Sequence, residues 1–306
     1  MKLTRSLGCL VLLLLPVLFA GAQQTISFKT VTELQQFLSY SKQRVPLISA
    51  HRGGPQKGFP ENALETFKHS ILSQPLVIEC DIALSKDSVM VLMHDNRLDR
   101  TSTGKGLLSD YTYAELSKFW LKDNAGDTTP FRIPKLDDVL LWGKGKVIFT
   151  LDVKRGVPYS MVVDAVRRRR AEAASVIITY NANQAAEVYQ LAPDLMISAS
   201  IQNKEDLQRL PDKGIPDNRL VAFIGVTEAN ADLYNLLHEH KILCILGTMG
   251  NLDRQAVARG EKTYYSFIEN GADILSTDRP NEAGKVLQQY IGDNHLYSKH
   301  IKTGKK

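Results

Sequence analysis

Eight short apolar runs, rich in valine and isoleucine, recur along the chain: PLISAH, LVIECDI, KVIFTLDV, SVIITY, LMISAS, RLVAFIGV, KILCILG and ADILSTD. Near-continuous hydrophobicity over this length marks strands buried on both faces. Between them lie stretches with helical apolar spacing, among them NALETFKHSIL, PYSMVVDAVRRRRAEA, NQAAEVYQL, EANADLYNLLHEH and NEAGKVLQQYI. Strands buried on both faces need helices on both sides of a parallel sheet. Eight such strands, most with a following helix, in 306 residues match an α/β fold of the (β/α)8 TIM-barrel type. A doubly wound open sheet has the same alternation and stays open as the alternative, because periodicity does not report closure.

One run breaks the alternation. VMVLMHD, residues 89–95, follows LVIECDIAL after only Ser85-Lys86-Asp87-Ser88, too short for a parallel crossover. It must return as an antiparallel hairpin on the second strand, which brings His94 back beside Glu79 and Asp81. The stretch of about 96–134 that follows is too long for a plain loop and reads as a small insertion subdomain over one end of the barrel.

The chain ends carry separate signals. Residues 1–22, with Lys2 and Arg5, then an apolar stretch broken by Pro16 and small residues at Ala20 and Ala22, read as a secretory signal peptide. Cleavage near Ala22 would leave the barrel, 23–295, exported to the periplasm or secreted, with no stable membrane anchor. The basic tail, 296–306, reads as a frayed solvated end. With that tail and the leader set aside, the net charge of +5 implies no nucleic-acid partner. Arg167 to Arg170 continue a helix and point around it, as a solvated face. Only Cys80 and Cys244 remain after cleavage. They lie on the second and seventh strands, which are not neighbours in an eight-strand ring, so they should stay unpaired despite export.

Strand parity places the chemistry. Glu79 and Asp81 share one face, with Ile78, Cys80 and Ile82 on the other; on KVIFTLDVKR, Thr150, Asp152 and Lys154 share a face. Three carboxylates then converge inside, where repulsion raises their pKa values or demands a cation. An all-oxygen donor set without cysteine suits one divalent cation, Mg²⁺ or Ca²⁺. A buried ion-pair layer with Lys154 and Arg52 is the other reading of the same residues. His51 and Arg52 end the first strand, at the face where barrel active sites form. With His94 they offer two imidazoles for proton transfer and cations to hold an anionic group.

In this order the chain carries His51-Arg52-Gly53, Pro60-Glu61-Asn62, Glu79-Cys80-Asp81, Lys86-Asp87 and His94-Asp95, then Leu151-Asp152-Val153-Lys154 and Ser276-Thr277-Asp278-Arg279-Pro280. With these motifs it resembles the glycerophosphodiester phosphodiesterase family over nearly the whole mature chain. The resemblance implies metal-dependent hydrolysis of a small glycerophosphodiester to glycerol phosphate and an alcohol. Glu79, Asp81 and Asp152 would hold the metal, and His51 and His94 would act as acid and base. Arg52 and Lys154 would hold the substrate, and Glu61 would fix the neighbouring basic side chains. One histidine takes the proton of a glycerol hydroxyl that attacks phosphorus, the other protonates the leaving alcohol, and water opens the resulting cyclic phosphate. Gly53, Gly54 and Gly58 are expected to let the backbone turn close to a phosphate, and Asn62 to cap the next helix with Glu65 three residues on.

The chain departs from the family pattern at Asp152, where glutamate is usual, and at Ala63, where threonine is usual. It departs again at Leu246-Gly247-Thr248-Met249-Gly250, which lacks an aromatic wall, so the alcohol specificity is not carried over. A related metal-dependent phospholipase acting on intact lipids would use an exposed rim such as Phe119-Trp120-Leu121, although a subdomain core explains those residues too. A non-catalytic binding module on the same fold is the alternative of a different class; retention of both histidines and all three carboxylates argues against it.

Overall fold

The computed structural model describes residues 23–304; the leader, 1–22, lies outside the described residues. Thirteen strands follow in chain order: β1 (Thr25–Ile26), β2 (Leu47–Ala50), β3 (Val77–Leu84), β4 (Met90–Leu92), β5 (Trp120–Lys122), β6 (Thr128–Arg132), β7 (Ile148–Val153), β8 (Ser175–Thr179), β9 (Met196–Ser200), β10 (Leu220–Phe223), β11 (Leu243–Gly247), β12 (Ile274–Thr277) and β13 (Ile301–Lys302). Eight of them, β2, β3 and β7 to β12, are parallel and hydrogen-bonded in sequence order, and the β2–β3 pairing closes the ring. The open-sheet alternative is thereby excluded, and all eight expected strands are present.

Period-two alternation sorts every barrel strand. Ile48, Ile78, Cys80, Leu151, Ile177, Cys244 and Leu275 pack outward against the helices. Leu47, Val77, Ile148, Val176, Met196, Val221, Leu243 and Ile274 form an apolar layer inside the lower barrel. Two residues further along the strands the interior turns polar on five of the eight, with Ser49, Glu79, Thr150, Ser198 and Ser276 all buried, while Ile178, Phe223 and Ile245 keep the remaining strands apolar. The barrel floor is therefore the core, and its C-terminal mouth holds the chemistry.

The termini close the lower end, which corrects the expectation of a frayed tail. β13 pairs antiparallel with β1, Ile301 packs on the lower core, and the His300 ring lies 4.8 Å from Phe28. The tail carries an apolar and an aromatic side chain that gain more from this burial than the lysines around them lose. The arginine run is solvated, with three of its four members paired: Arg168 and Arg169 reach Asp137 at 2.8 and 2.7 Å, and Arg167 pairs with Asp194.

β4 pairs antiparallel with the end of β3, Ile82 opposite Leu92 and Leu84 opposite Met90, so the hairpin return is present. The insertion follows as a 3-10 turn (Leu108–Asp110), a helix (Tyr113–Leu116) with a Thr112/Glu115 capping box, and the β5–β6 hairpin. It has its own core of Val91, Met93, Leu98, Leu108, Leu116 and Leu121, which also packs Ala63. Phe119 packs on this core and Leu121 is in it, while the exposed Trp120 ring is covered by the Arg132 guanidinium. These three residues are thus mostly structure rather than rim.

Cys80 and Cys244 are free, buried on the helix side of strands that do not touch. Burial pushes both thiols up, which keeps them protonated and unreactive. An alkylating reagent applied without reductant should label both only after unfolding, each as a separate peptide by mass spectrometry. A cross-linked pair would overturn the strand order.

Candidate active site

β2 runs into a 3-10 turn, His51–Gly53, in which Arg52 adopts a left-handed φ of 51°. Gly53 and Gly54 hold left-handed φ of 84° and 76°, and packing adds a second requirement for glycine. A Cβ at Gly53 would lie 2.2 Å from the Phe67 ring, and one at Gly54 would lie 2.5 Å from Pro280. Gly58 alone faces open space. The turn points the Arg52 N–H at Glu79, which accepts it at 2.7 Å. It also leaves His51 at the mouth, with Nδ1 held 2.7 Å from Asp278.

Asn62 does not cap the following helix, Leu64–Ser70, whose N-cap is Ala63 without a side-chain bond. Instead Asn62, at φ 58°, is buried and clasps Asp81. Its Nδ2 donates to Asp81 Oδ2 at 2.6 Å, and its Oδ1 accepts the Asp81 N–H at 3.0 Å. The left-handed backbone turns the side chain away from the helix start, where a cap would have to reach, and towards β3.

Glu61 does fix the basic side chains. It accepts from Arg52 Nη1 at 3.1 Å and from Arg100 through both carboxylate oxygens at 2.8 Å. Arg100, from the insertion, also binds Asp95 at 2.7 and 2.9 Å, and Asp95 holds His94 Nδ1 at 2.7 Å. The Arg100 pairing, with the His94 bond, holds Asp95 well below the usual carboxylate range. One network thus joins His94, Asp95, Arg100, Glu61 and Arg52. Both histidines have Nδ1 tied to a carboxylate, which leaves Nε2 as the nitrogen free for proton transfer. His94 arrives through the hairpin, where the Met93 N–H donates to the Asp81 carbonyl at 3.0 Å.

Glu79, Asp81 and Asp152 each offer an oxygen within 4.8 Å of the others, and all three are buried. Lys154 bridges two of them, 2.6 Å from Asp81 Oδ1 and 2.6 Å from Asp152 Oδ2. The Tyr180 hydroxyl donates to Asp152 Oδ1 at 2.7 Å. The ion-pair reading is therefore partly right, since Arg52 Nε also sits 3.7 Å from Asp81. It leaves Glu79 unbalanced. Burial, and then the charge of Asp81, push the Glu79 carboxyl up to about 8. Burial alone would raise Asp81 as well, but Lys154 and Asn62 outweigh it and hold Asp81 low. A surplus of buried, repelling hard oxygens fits a divalent cation. A second cluster, His238, Cys244 and Asp273, lies at the opposite end of the barrel, and there Arg44 already pairs with the carboxylate.

Glu79 gives a pH prediction for chelated protein. Its folded value of about 8 stands above the ordinary 4.5, so between them the folded chain keeps a proton that the unfolded chain has lost. The stability this group contributes is present below its unfolded pKa and falls as pH rises through that window. His51 works in the same direction: burial lowers its pKa, but the Asp278 bond and the Glu79 charge outweigh this and raise it. Denaturant midpoints should drop from about pH 5 to about pH 8, and Glu79→Gln should remove about 1 kcal/mol or more of that drop. An unchanged slope in the variant would rule out the crowding of carboxylates.

Two cavities meet at His51. One of about 140 Å³ lies in the barrel mouth and is lined by Glu79, Asp152, Tyr180, Phe223, Met249 and Ser276. The other, of about 560 Å³, opens between the barrel and the insertion along Arg52, Glu61, Arg100 and Asp278. Arg52 Nε is buried and makes no hydrogen bond, with Asp81 Oδ2 3.7 Å away. All eight residues expected from the sequence are gathered at this end. Asp278, Tyr180, Arg100 and Asp95 belong to the site too. Tyr180 could have been found from its place at the strand end of SVIITY, and Asp278 from its place in STDRP. Arg100 carried no local signal.

A family model described as the glycerophosphoryl diester phosphodiesterase family matches residues 51–281. The chain is similar to a glycerophosphoryl diester phosphodiesterase structure from Parabacteroides distasonis, with 35% identity, a TM-score of 0.85, and coverage of 92% of this chain and 100% of that one. It is 26% identical over 255 residues to a glycerophosphodiester phosphodiesterase from Bacillus altitudinis, covering 79% of this chain and 98% of the relative. A phosphodiesterase from Oleispira antarctica in complex with the product sn-glycerol-3-phosphate shares the fold at a TM-score of 0.62 and 17% identity, over 80% of this chain and 97% of that one.

Proposed function

The chain belongs to the glycerophosphoryl diester phosphodiesterase family, and from that premise we propose that it hydrolyses glycerophosphodiesters to glycerol phosphate and an alcohol by two-histidine, metal-dependent chemistry. The observation that carries this reading is the gathering of three buried carboxylates within 4.8 Å of one another at the barrel end where His51 and His94 each have Nδ1 tied to a carboxylate. Glycerol phosphate as product is in keeping with the ligand of the Oleispira enzyme.

Glu79, Asp81 and Asp152 would hold one Mg²⁺ or Ca²⁺, which when bound would supply Lewis-acid polarisation of a phosphoryl oxygen. Arg52 and Lys154 hold the phosphate, and Glu61 keeps the Arg52 guanidinium aimed at it. One histidine takes a proton at Nε2 from a glycerol hydroxyl, which attacks phosphorus; the other delivers a proton to the departing alcohol oxygen. The cyclic phosphate is then opened by water, with the histidine roles reversed. Asp278 and Asp95 keep each ring's Nδ1 bonded, so that Nε2 does the transfer. An intact-lipid phospholipase draws less support, since Phe119 and Leu121 pack in the insertion core.

The leader, 1–22, would deliver this activity outside the cytoplasm, in the periplasm or the medium, after cleavage near Ala22. N-terminal sequencing of exported protein tests that; a retained Met1 refutes it. The activity itself is tested by incubating purified protein with a glycerophosphodiester and Mg²⁺ or Ca²⁺ and following glycerol phosphate. A substrate left intact under both cations, with the fold verified, would end the reading.

A further inference from the structure

We propose that a groove beside Tyr180 receives the alcohol half of the substrate, and that this alcohol is an uncharged polyol or sugar. The inference rests on the phosphodiesterase reading and adds the substrate class to it. The groove has a volume of about 610 Å³ and lies over the C-terminal ends of β8 and β9. Tyr180 and Ser200 line both this groove and the barrel-mouth cavity, so the two are continuous. Through its hydroxyl bond to Asp152, Tyr180 links the groove to the carboxylate cluster. Tyr180 as a whole is more than half exposed. Its ring offers an apolar face on which the C–H side of a sugar or cyclitol can lie.

The lining selects against charged alcohols. Asp206 is paired with Arg209 at 2.8 Å, and Asp212 accepts from Gln208 at 3.0 Å. With Lys213 the groove carries as many cations as carboxylates, so it offers no net field to an anionic headgroup. An aromatic cage for a quaternary ammonium needs several rings, and Tyr180 is the one aromatic ring in the lining. What remains is neutral hydrogen bonding. At Asn183 and Gln202 the hydrogen bonds are made by the main-chain N–H groups, to Asn181 Oδ1 at 3.1 Å and Asp206 Oδ2 at 3.1 Å. Both side-chain amides, each a donor and an acceptor, are exposed and left for hydroxyl groups. A substrate whose hydroxyls satisfy them gains over one that cannot.

Two measurements on the full chain test this. In chelator, where no turnover occurs, glycerophosphoinositol should shift the side-chain amide NMR signals of Asn183 and Gln202 saturably, and glycerophosphocholine should leave them in place. In the metal-loaded protein, Asn183→Leu and Gln202→Leu should each lower kcat/KM for glycerophosphoinositol about tenfold through KM, with glycerophosphocholine within about twofold of the parent. Amide signals that ignore the inositol diester, or equal losses on both diesters, overturn the groove assignment. If neither diester is hydrolysed, the phosphodiesterase reading falls instead, and the amide titration alone decides the groove.

Discussion

His51→Ala and His94→Ala should each lower turnover of a glycerophosphodiester by about 10²-fold or more, with the fold intact and cation affinity within about twofold of the parent. Neither imidazole is in the carboxylate cluster that would hold the cation. Each is tied at Nδ1 to its own carboxylate, Asp278 or Asp95, and neither side chain is part of the core. Removing one therefore removes a proton-transfer group without opening a packed interior. A glycerol phosphodiester of nitrophenol separates the two roles, because nitrophenolate departs with little need of a proton. That substrate should restore activity to the variant that lost the acid and leave the other variant slow. The glycerol hydroxyl must be retained, since it is the nucleophile. Equal, modest losses in both variants on both substrates would mean that the histidines only position the substrate, and the two-imidazole mechanism would be abandoned.

Chelation should abolish activity, and Mg²⁺ or Ca²⁺ should restore it. Glu79, Asp81 and Asp152 supply hard oxygens only, and Lys154 neutralises no more than part of their charge. Asp81→Asn should weaken cation binding by at least about tenfold, read by calorimetry apart from activity. The substitution also disturbs the clasp with Asn62, whose Nδ2 then faces an amide rather than a carboxylate. Full turnover in chelated, metal-free protein would refute metal dependence, and unchanged calorimetry in Asp81→Asn would remove Asp81 from the ligand set.

Much of the site was legible because strand parity is local. In β3 and β7 each residue's face follows from its neighbours along the chain, so Glu79, Asp81, Thr150 and Asp152 could be assigned to the interior before any contact was known. The hairpin turn at 85–88 was legible for a related reason: a four-residue turn permits only an antiparallel return. Asn62 was misread because a polar residue two positions before a helix offers two bonds, a cap or a tertiary contact. Only its left-handed backbone and the position of β3 choose between them.

By itself the sequence determined the eight parallel strands, the inward carboxylates and the histidines at the strand ends, all consequences of apolar spacing and parity within single elements; closure of the sheet into a barrel was not among them. The tertiary structure decided which groups complete one another across long separations. Asp278 meets His51 from 227 residues away, and Arg100 in the insertion ties Glu61 to Asp95. Tyr180 reaches Asp152 from the next strand, and the basic tail returns to pair with β1. Spacing along a chain sets the face on which a side chain lies. Which partner it finds there depends on ring closure, and that is a property of all eight strands at once.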